Sequence, residues 1–210
     1  MIEATPAQPV VGSSPSKLAH QGVAAWVARG RAALVRLVTW IAGGALVAVL
    51  TACAGPQVQD YAGQTPTLDL RSYFNGDLIA HGVFTDRSGA VKRRFTVAMR
   101  CRWQGDEGVF EEDFTYSDGK TERRVWTLHR EADNRYTGRA ADVIGTATGE
   151  SAGNALRWRY TLDLKVDDSS YEVQFDDWMF QMDERVLINR AAMSKFGIHL
   201  GDVTLAFYKR

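Results

Sequence analysis

Apolar and polar side chains alternate along most of the chain beyond residue 90. Between Val91 and Trp103, Phe95, Val97, Met99, Cys101 and Trp103 fall on one face, while Arg94, Arg100 and Arg102 fall on the other. A period of two predicts a half-buried β-strand. The same reading predicts strands over 109–116, 121–130, 135–140, 143–149, 155–166, 171–182, 184–192 and 198–209. Turn signals separate them: Ser117-Asp118-Gly119-Lys120 is a hairpin pattern, and Asp167-Asp168-Ser169-Ser170 another. Met193-Ser194-Lys195-Phe196-Gly197 breaks the alternation and predicts a loop or bulge capping one mouth. No amphipathic helix exceeds one or two turns, with Leu68 to Phe74 as a short helix at the entrance. The fold class predicted is all-β, an up-and-down antiparallel barrel of about 8–10 strands, with a two-sheet sandwich as the alternative. Closing the sheet removes the exposed edges that an all-β chain must otherwise protect.

The first 52 residues follow another pattern. Met1 to Ser16 is rich in Pro, Ala, Gln and Ser, and Arg29, Arg31 and Arg36 follow. Leu37 to Leu50, LVTWIAGGALVAVL, is uncharged and mostly apolar. A membrane span needs about 20 apolar residues, so this shorter run predicts the signal helix of an export peptide. Leu50-Thr51-Ala52-Cys53 then resembles the bacterial lipobox: an aliphatic residue, two small residues and a cysteine. The implied chemistry is a diacylglycerol on the Cys53 sulfur, cleavage after Ala52, and an acyl chain such as palmitate on the new amine. Each buried CH₂ of such chains is worth roughly 0.8 kcal/mol of membrane binding. Ala54 follows the cysteine where an inner-membrane retention signal would carry aspartate. By analogy with Gram-negative lipoproteins, that places the protein on the inner leaflet of the outer membrane, facing the periplasm. The basic region is long for a signal peptide, and residues 1 to about 25 lie beyond what export requires. The domain reading is a signal peptide over 1–52, a lipidated cysteine and flexible tether over 53–67, and a barrel domain over 68–210.

Composition changes the picture in one respect. The chain of 210 residues balances 25 basic against 25 acidic side chains. Lys17, Arg29, Arg31 and Arg36 oppose only Glu3 before Cys53, so the part that remains after cleavage is net acidic, near −3. That gives no basic footprint for nucleic acid. Two cysteines exclude a disulfide-rich scaffold. With Cys53 lipidated, Cys101 is left as a buried thiol on an apolar strand face.

Candidate chemistry centres on Phe175-Asp176-Asp177-Trp178. Strand alternation sends Asp176 and Trp178 one way, Phe175 and Asp177 the other, so one aspartate points inward. A buried carboxylate is costly unless paired. Arg124, Arg157, Arg159 and Arg190 are the candidate partners. A ligand-binding set of Arg124, Trp126, Arg157, Trp158, Tyr160, Asp176, Asp177, Trp178 and Arg190 is therefore expected, or the same residues as a structural ion-pair network. Asp142 to Gly149 lacks the Lys and the following helix of a phosphate loop and reads as turn and strand. His81, His129 and His199 have no metal-ligand spacing. Lys92-Arg93-Arg94, Arg123-Arg124 and Glu111-Glu112-Asp113 read as cross-strand charge pairing on a solvated face. Ser194 and Lys195 form no Ser-x-x-Lys motif, and no catalytic set is found.

Several segments resemble the DUF3833 family of bacterial proteins of unknown function, many of them predicted lipoproteins. The residues are Phe74-Asn75-Gly76, Asp86-Arg87-Ser88-Gly89, Glu112-Asp113-Phe114, Tyr116-Ser117-Asp118-Gly119, Arg123-Arg124-Val125-Trp126, Asp142-Val143-Ile144-Gly145, Gly153-Asn154-Ala155, Trp158-Arg159-Tyr160, Phe175-Asp176-Asp177-Trp178-Met179, Asn189-Arg190-Ala191 and Met193-Ser194-Lys195-Phe196-Gly197. They spread over nearly all of 68–210. The resemblance implies a lipocalin-like β-barrel on a lipid anchor and brings no catalytic residues. The function expected is a lipid-anchored envelope protein that binds or carries a small apolar or amphipathic ligand. The alternative is an envelope structural or assembly protein with a plugged barrel, and a third reading is an enzyme using Asp176 or Asp177 with an arginine. Its partners would be the membrane, through the anchor, and a lipid or small amphipathic ligand, with no cofactor beyond the covalent lipid on Cys53.

Overall fold

The structure, a computed structural model, describes residues 55–166 and 169–210. The predicted signal segment and Cys53 lie outside these residues. Ten strands run in chain order: β1 (Gly76–Asp86), β2 (Val91–Gln104), β3 (Glu107–Tyr116), β4 (Thr121–Arg130), β5 (Arg135–Arg139), β6 (Val143–Ala152), β7 (Ala155–Val166), β8 (Ser169–Gln181), β9 (Val186–Lys195) and β10 (Ile198–Lys209). Each pairs antiparallel with its chain neighbours. The β1–β10 ladder, from Leu78↔Lys209 to Asp86↔Gly201, closes the ring. The closed up-and-down barrel replaces the sandwich that the periodicity left open.

Alternation sets what each strand sends inward. On β2, Val97, Met99 and Cys101 are buried and Arg94, Arg100 and Arg102 exposed, as the pattern predicts. Outside, Arg100 and Arg123 share Glu111 and Asp113, and at the barrel rim Arg93 pairs with Asp118 at 2.8 Å. The charged runs are not wholly on the solvated wall, where the sequence reading sets them: strand parity turns Arg93, Glu112 and Arg124 inward. β1 is the strand the apolar pattern does not mark. Its inward positions are Leu78, Ala80 and Gly82, and a Cβ on Gly82 would stand 2.3 Å from the Phe95 ring across the ladder. The apolar bulk at that level comes from the neighbouring strand.

One end of the barrel is closed. A short helix, α1 (Leu70–Tyr73), is capped by Asp69, whose carboxylate accepts the Ser72 amide at 2.7 Å. Leu68, Leu70, Tyr73 and Phe74 are buried with the core. Phe74 stacks on Phe110 and meets Phe207 edge-on. The Trp103 indole donates to the Phe74 carbonyl at 3.0 Å, and the Tyr73 hydroxyl donates to the Arg185 carbonyl at 3.0 Å. Fully burying one such side chain is worth about 1.5–3 kcal/mol, so α1 is a fixed floor.

Two more expectations are corrected. The segment read as a flexible tether is pinned to the barrel by Val58 and Tyr61, its other described residues being mostly exposed. Val58, in a 3-10 turn (Val58–Tyr61), is buried with Ala152 and Ala155, and the Tyr61 ring meets Trp178 and Phe180 at 5.7 and 5.2 Å. Two apolar anchors in a polar run leave no periodic signal. Residues 193–197 form no cap. β9 continues to Lys195, and Phe196-Gly197 makes a tight turn, with Phe196 at φ 52° and 87% exposed.

Candidate functional site

The inward faces do not meet on the barrel axis. They enclose a cavity of about 1110 Å³ that reaches the surface at the mouth opposite α1, beside Arg93, Lys120, Glu122 and Lys165. Binding pockets for small organic molecules run from roughly 300 to 1,000 Å³, so the space suits a ligand of substantial size. One wall is aromatic: Trp126 lies edge-on to Trp158 at 5.9 Å and to Tyr160 at 5.4 Å, and Tyr160 stacks on Phe175 at 4.9 Å. Trp158 has its place because Gly138 and Gly149 on β5 and β6 carry no side chain. A Cβ on Gly149 would stand 2.3 Å from the Trp158 ring.

A polar group interrupts this wall. Glu112 and Arg124 are cross-strand partners on β3 and β4. Arg124 donates to Asp142 at 2.9 Å and 2.7 Å, with Glu122 at 3.9 Å, and its guanidinium lies 5.4 Å from the Phe114 ring. Asp142 stands just before β6 and reaches over where β4 has no ladder partner, since β4 pairs with β5 only from Thr127 to Arg130. On the far side, Asn189 of β9 donates its amide to Asp177 of β8 at 3.1 Å. Asp177 and Asn189 are 5% and 2% exposed, and Asp177 Oδ1 and Asn189 Oδ1 have no partner among the described residues.

Burial shapes the protonation of this group. Loss of hydration pushes the Asp177 carboxyl up to about 7, Asn189's hydrogen bond opposing. Burial likewise pushes Glu112 up to about 7, against the pull of Arg124. The surface that Glu112 keeps faces the cavity. Tyr160 is raised well above its usual range by the same desolvation and by Asp177. The result is an apolar chamber with two carboxyls poised near neutrality and one cation committed to Asp142.

The nine expected site residues divide between two surfaces. Arg124, Trp126, Trp158, Tyr160 and Asp177 line the cavity. Arg157, Asp176, Trp178 and Arg190 do not: their strand positions turn them to the outer wall. There Arg157 grips Asp176 through two bonds, 2.7 and 2.6 Å, over the Trp178 ring at 5.0 Å, with Arg159 at 3.8 Å. Arg190, 74% exposed, stands 3.7 Å from Asp202. Parity fixes this split, because consecutive residues on a strand cannot face the same way. Asn189, Glu112 and Asp142 line the cavity where the sequence reading does not expect them: it sets Glu112 on the solvated face, which the structure corrects, and Asp142 in a turn. Glu112 alternates with Phe110 and Phe114, a signal hidden by the acidic run around it. Asn189 alternates with Leu187 and Ala191 in the same way.

Among the described residues no three His, Cys, Asp or Glu side chains are grouped to hold a metal ion. His129 and His199 sit on the outside, against Glu107 and Asp202. Cys101 is buried and unpaired, its thiol raised far above the usual range by desolvation.

A family model described as "Protein of unknown function (DUF3833)" matches residues 47–209. No curated protein matches the chain. Among solved structures, an S-type phycobiliprotein lyase from Guillardia theta is similar at 5% identity and a TM-score of 0.52, over 74% of this chain and 98% of that one. A de novo designed fluorescence-activating β-barrel matches at 11% identity and a TM-score of 0.38, over 68% of this chain and 99% of its own. At 5% identity the likeness to the lyase is one of fold.

Proposed function

The chain belongs to the DUF3833 family, whose description assigns no activity, and from that footing we propose that it is a lipid-anchored envelope protein whose barrel holds a small apolar or amphipathic molecule. The observation that supports this is the cavity of about 1110 Å³, walled by aromatic side chains, floored by α1 and open at the other mouth. A barrel serving only as a scaffold would gain stability by filling that space, since each unfilled volume forfeits contacts. The reading of a plugged barrel with no ligand has no such support. Asp176, named with Asp177 for an enzymatic role, is held by Arg157 on the outer wall, away from the chamber.

Two experiments test the proposal. The purified protein is extracted with organic solvent and analysed by mass spectrometry, and is then titrated with an apolar fluorescent dye and fatty acid, alcohol and amine competitors. A bound small molecule, or a dye that competitors displace, is the expected result; neither would sink the ligand reading. The anchor rests on Leu50-Thr51-Ala52-Cys53 after the apolar run. Cys53→Ala should abolish labelling by a palmitate analogue and move the protein out of the detergent phase. Unchanged labelling would overturn the anchor at Cys53.

A further inference from the structure

The hydrogen-bonding groups in the chamber are unequally used. Arg124 Nε and one of its terminal nitrogens are turned to Asp142, with Glu122 at 3.9 Å. The single amide group of Asn189 is turned to Asp177, the orientation in which it makes a bond. Among the cavity-lining side chains, Arg93 Nε at the mouth, Asp142 Oδ1, Asp177 Oδ1 and Asn189 Oδ1 have no partner among the described residues; the last two adjoin, on side chains that are each more than nine-tenths buried. Both residues line the cavity. A buried acceptor without a donor costs free energy, more so on a carboxylate.

Next to this pair the wall is apolar. Phe175, Leu162, Ala191 and Met193 pack together there, with Tyr160 against them. We propose that the cavity takes an apolar molecule whose polar end is a protonated amine, received by Asp177 and Asn189 as hydrogen-bond acceptors. An ammonium brings donors and no acceptor, which is what the two unpartnered acceptors require. Trp158, the cross-strand partner of Asp177, and Tyr160 line the cavity beside it, and aromatic rings attract a cation. A fatty acid carboxylate would bring acceptors to acceptors and a negative charge toward Asp177 and Glu112. This inference rests on the ligand-binding reading above and names the class of ligand for the same chamber.

Protonation gives the inference a signature. The groups that face Asp177 are Glu112 on β3, Arg124 on β4, Tyr160 on β7 and Asn189 on β9, with Asp142 beyond Arg124 and Asp176 outward on its own strand. Asp177 and Glu112 lose their protons near pH 7, while a primary amine stays protonated up to about pH 10. Amine affinity should therefore rise from pH 6 to pH 8, and carboxylate affinity should fall.

The test is calorimetric titration of the purified protein with decylamine, decanol and decanoate below their micellar concentrations. Decylamine is expected to bind about tenfold tighter than either of the others at pH 8, as a charge-assisted bond in a dry site allows. Asp177→Asn should remove that preference, bringing decylamine down to the affinity of decanol for the same variant. The pH dependence is read on the unaltered protein and needs no variant to fold. Decanol or decanoate binding as tightly as decylamine at pH 8 would overturn the inference and leave the ligand-binding reading standing. So would an amine affinity that is flat in pH, or an Asp177→Asn variant that keeps the preference. Failure of all three probes to bind would overturn both.

Discussion

Asp176 and Asp177 are adjacent in sequence and opposite in environment. Asp176 faces water with two guanidinium bonds, whereas Asp177 faces the chamber with one amide bond and an open oxygen. A carboxyl whose folded-state pKa is raised binds its proton more tightly when folded. Its stabilising contribution is complete below its unfolded value of 3.8 and is lost as pH rises through about 7. The unaltered protein should lose stability between about pH 4 and 7 on account of Asp177 and Glu112. Asp177→Asn removes the charge and keeps the size. It should match the parent below about pH 4 and exceed it at pH 8 by about 1–3 kcal/mol, read from urea unfolding at pH 3.5 and pH 8. An equal pH slope in the two proteins would contradict this. Arg157→Ala, on the half-exposed outer pair, should cost only about 0.2–1 kcal/mol and leave dye binding untouched. Residue pairs of this kind are legible in sequence as a parity, one in and one out. Which of the two is inside needs the neighbouring strands.

Strands carry a second kind of information that the chain pattern records unevenly. β2, with Phe95, Val97, Met99 and Cys101 at alternate positions, is plain in the sequence. β1 escapes because Gly82 stands where the Phe95 ring fills the space. The glycines of β5 and β6 pose the same problem: they read as bends, but Gly138 and Gly149 are the floor on which Trp158 lies. Gly149→Ala should therefore push the Trp158 ring off its strand, costing about 1–3 kcal/mol and changing the intrinsic tryptophan fluorescence of the folded protein. A variant with parental emission and stability would show that the ring has room to move. The packed Val58–Tyr61 turn was illegible for a related reason, since two apolar residues contact three strands without making a period.

At the scale of the molecule, the alternation yields two-faced strands but neither the closure over a sandwich nor the hollow. Whether ten inward faces touch or stand apart depends on side-chain volumes summed across strands distant in sequence, and on α1 closing one end. Small inward residues mark where the space lies. Ala191 on β9 is 2% exposed, pairs with Asp177 and Val203 on its neighbours, and lines the chamber. Ala191→Phe places a ring into empty volume beside the acceptor pair. Filling a cavity in this way commonly adds about 0.5–2 kcal/mol, so the thermal midpoint should hold or rise while dye and decylamine affinity fall at least about tenfold. The pairing of these two readouts separates a chamber used for binding from packing left incomplete. Lost binding with retained stability is what a chamber requires, whereas unchanged affinity would place the dye on the outer wall.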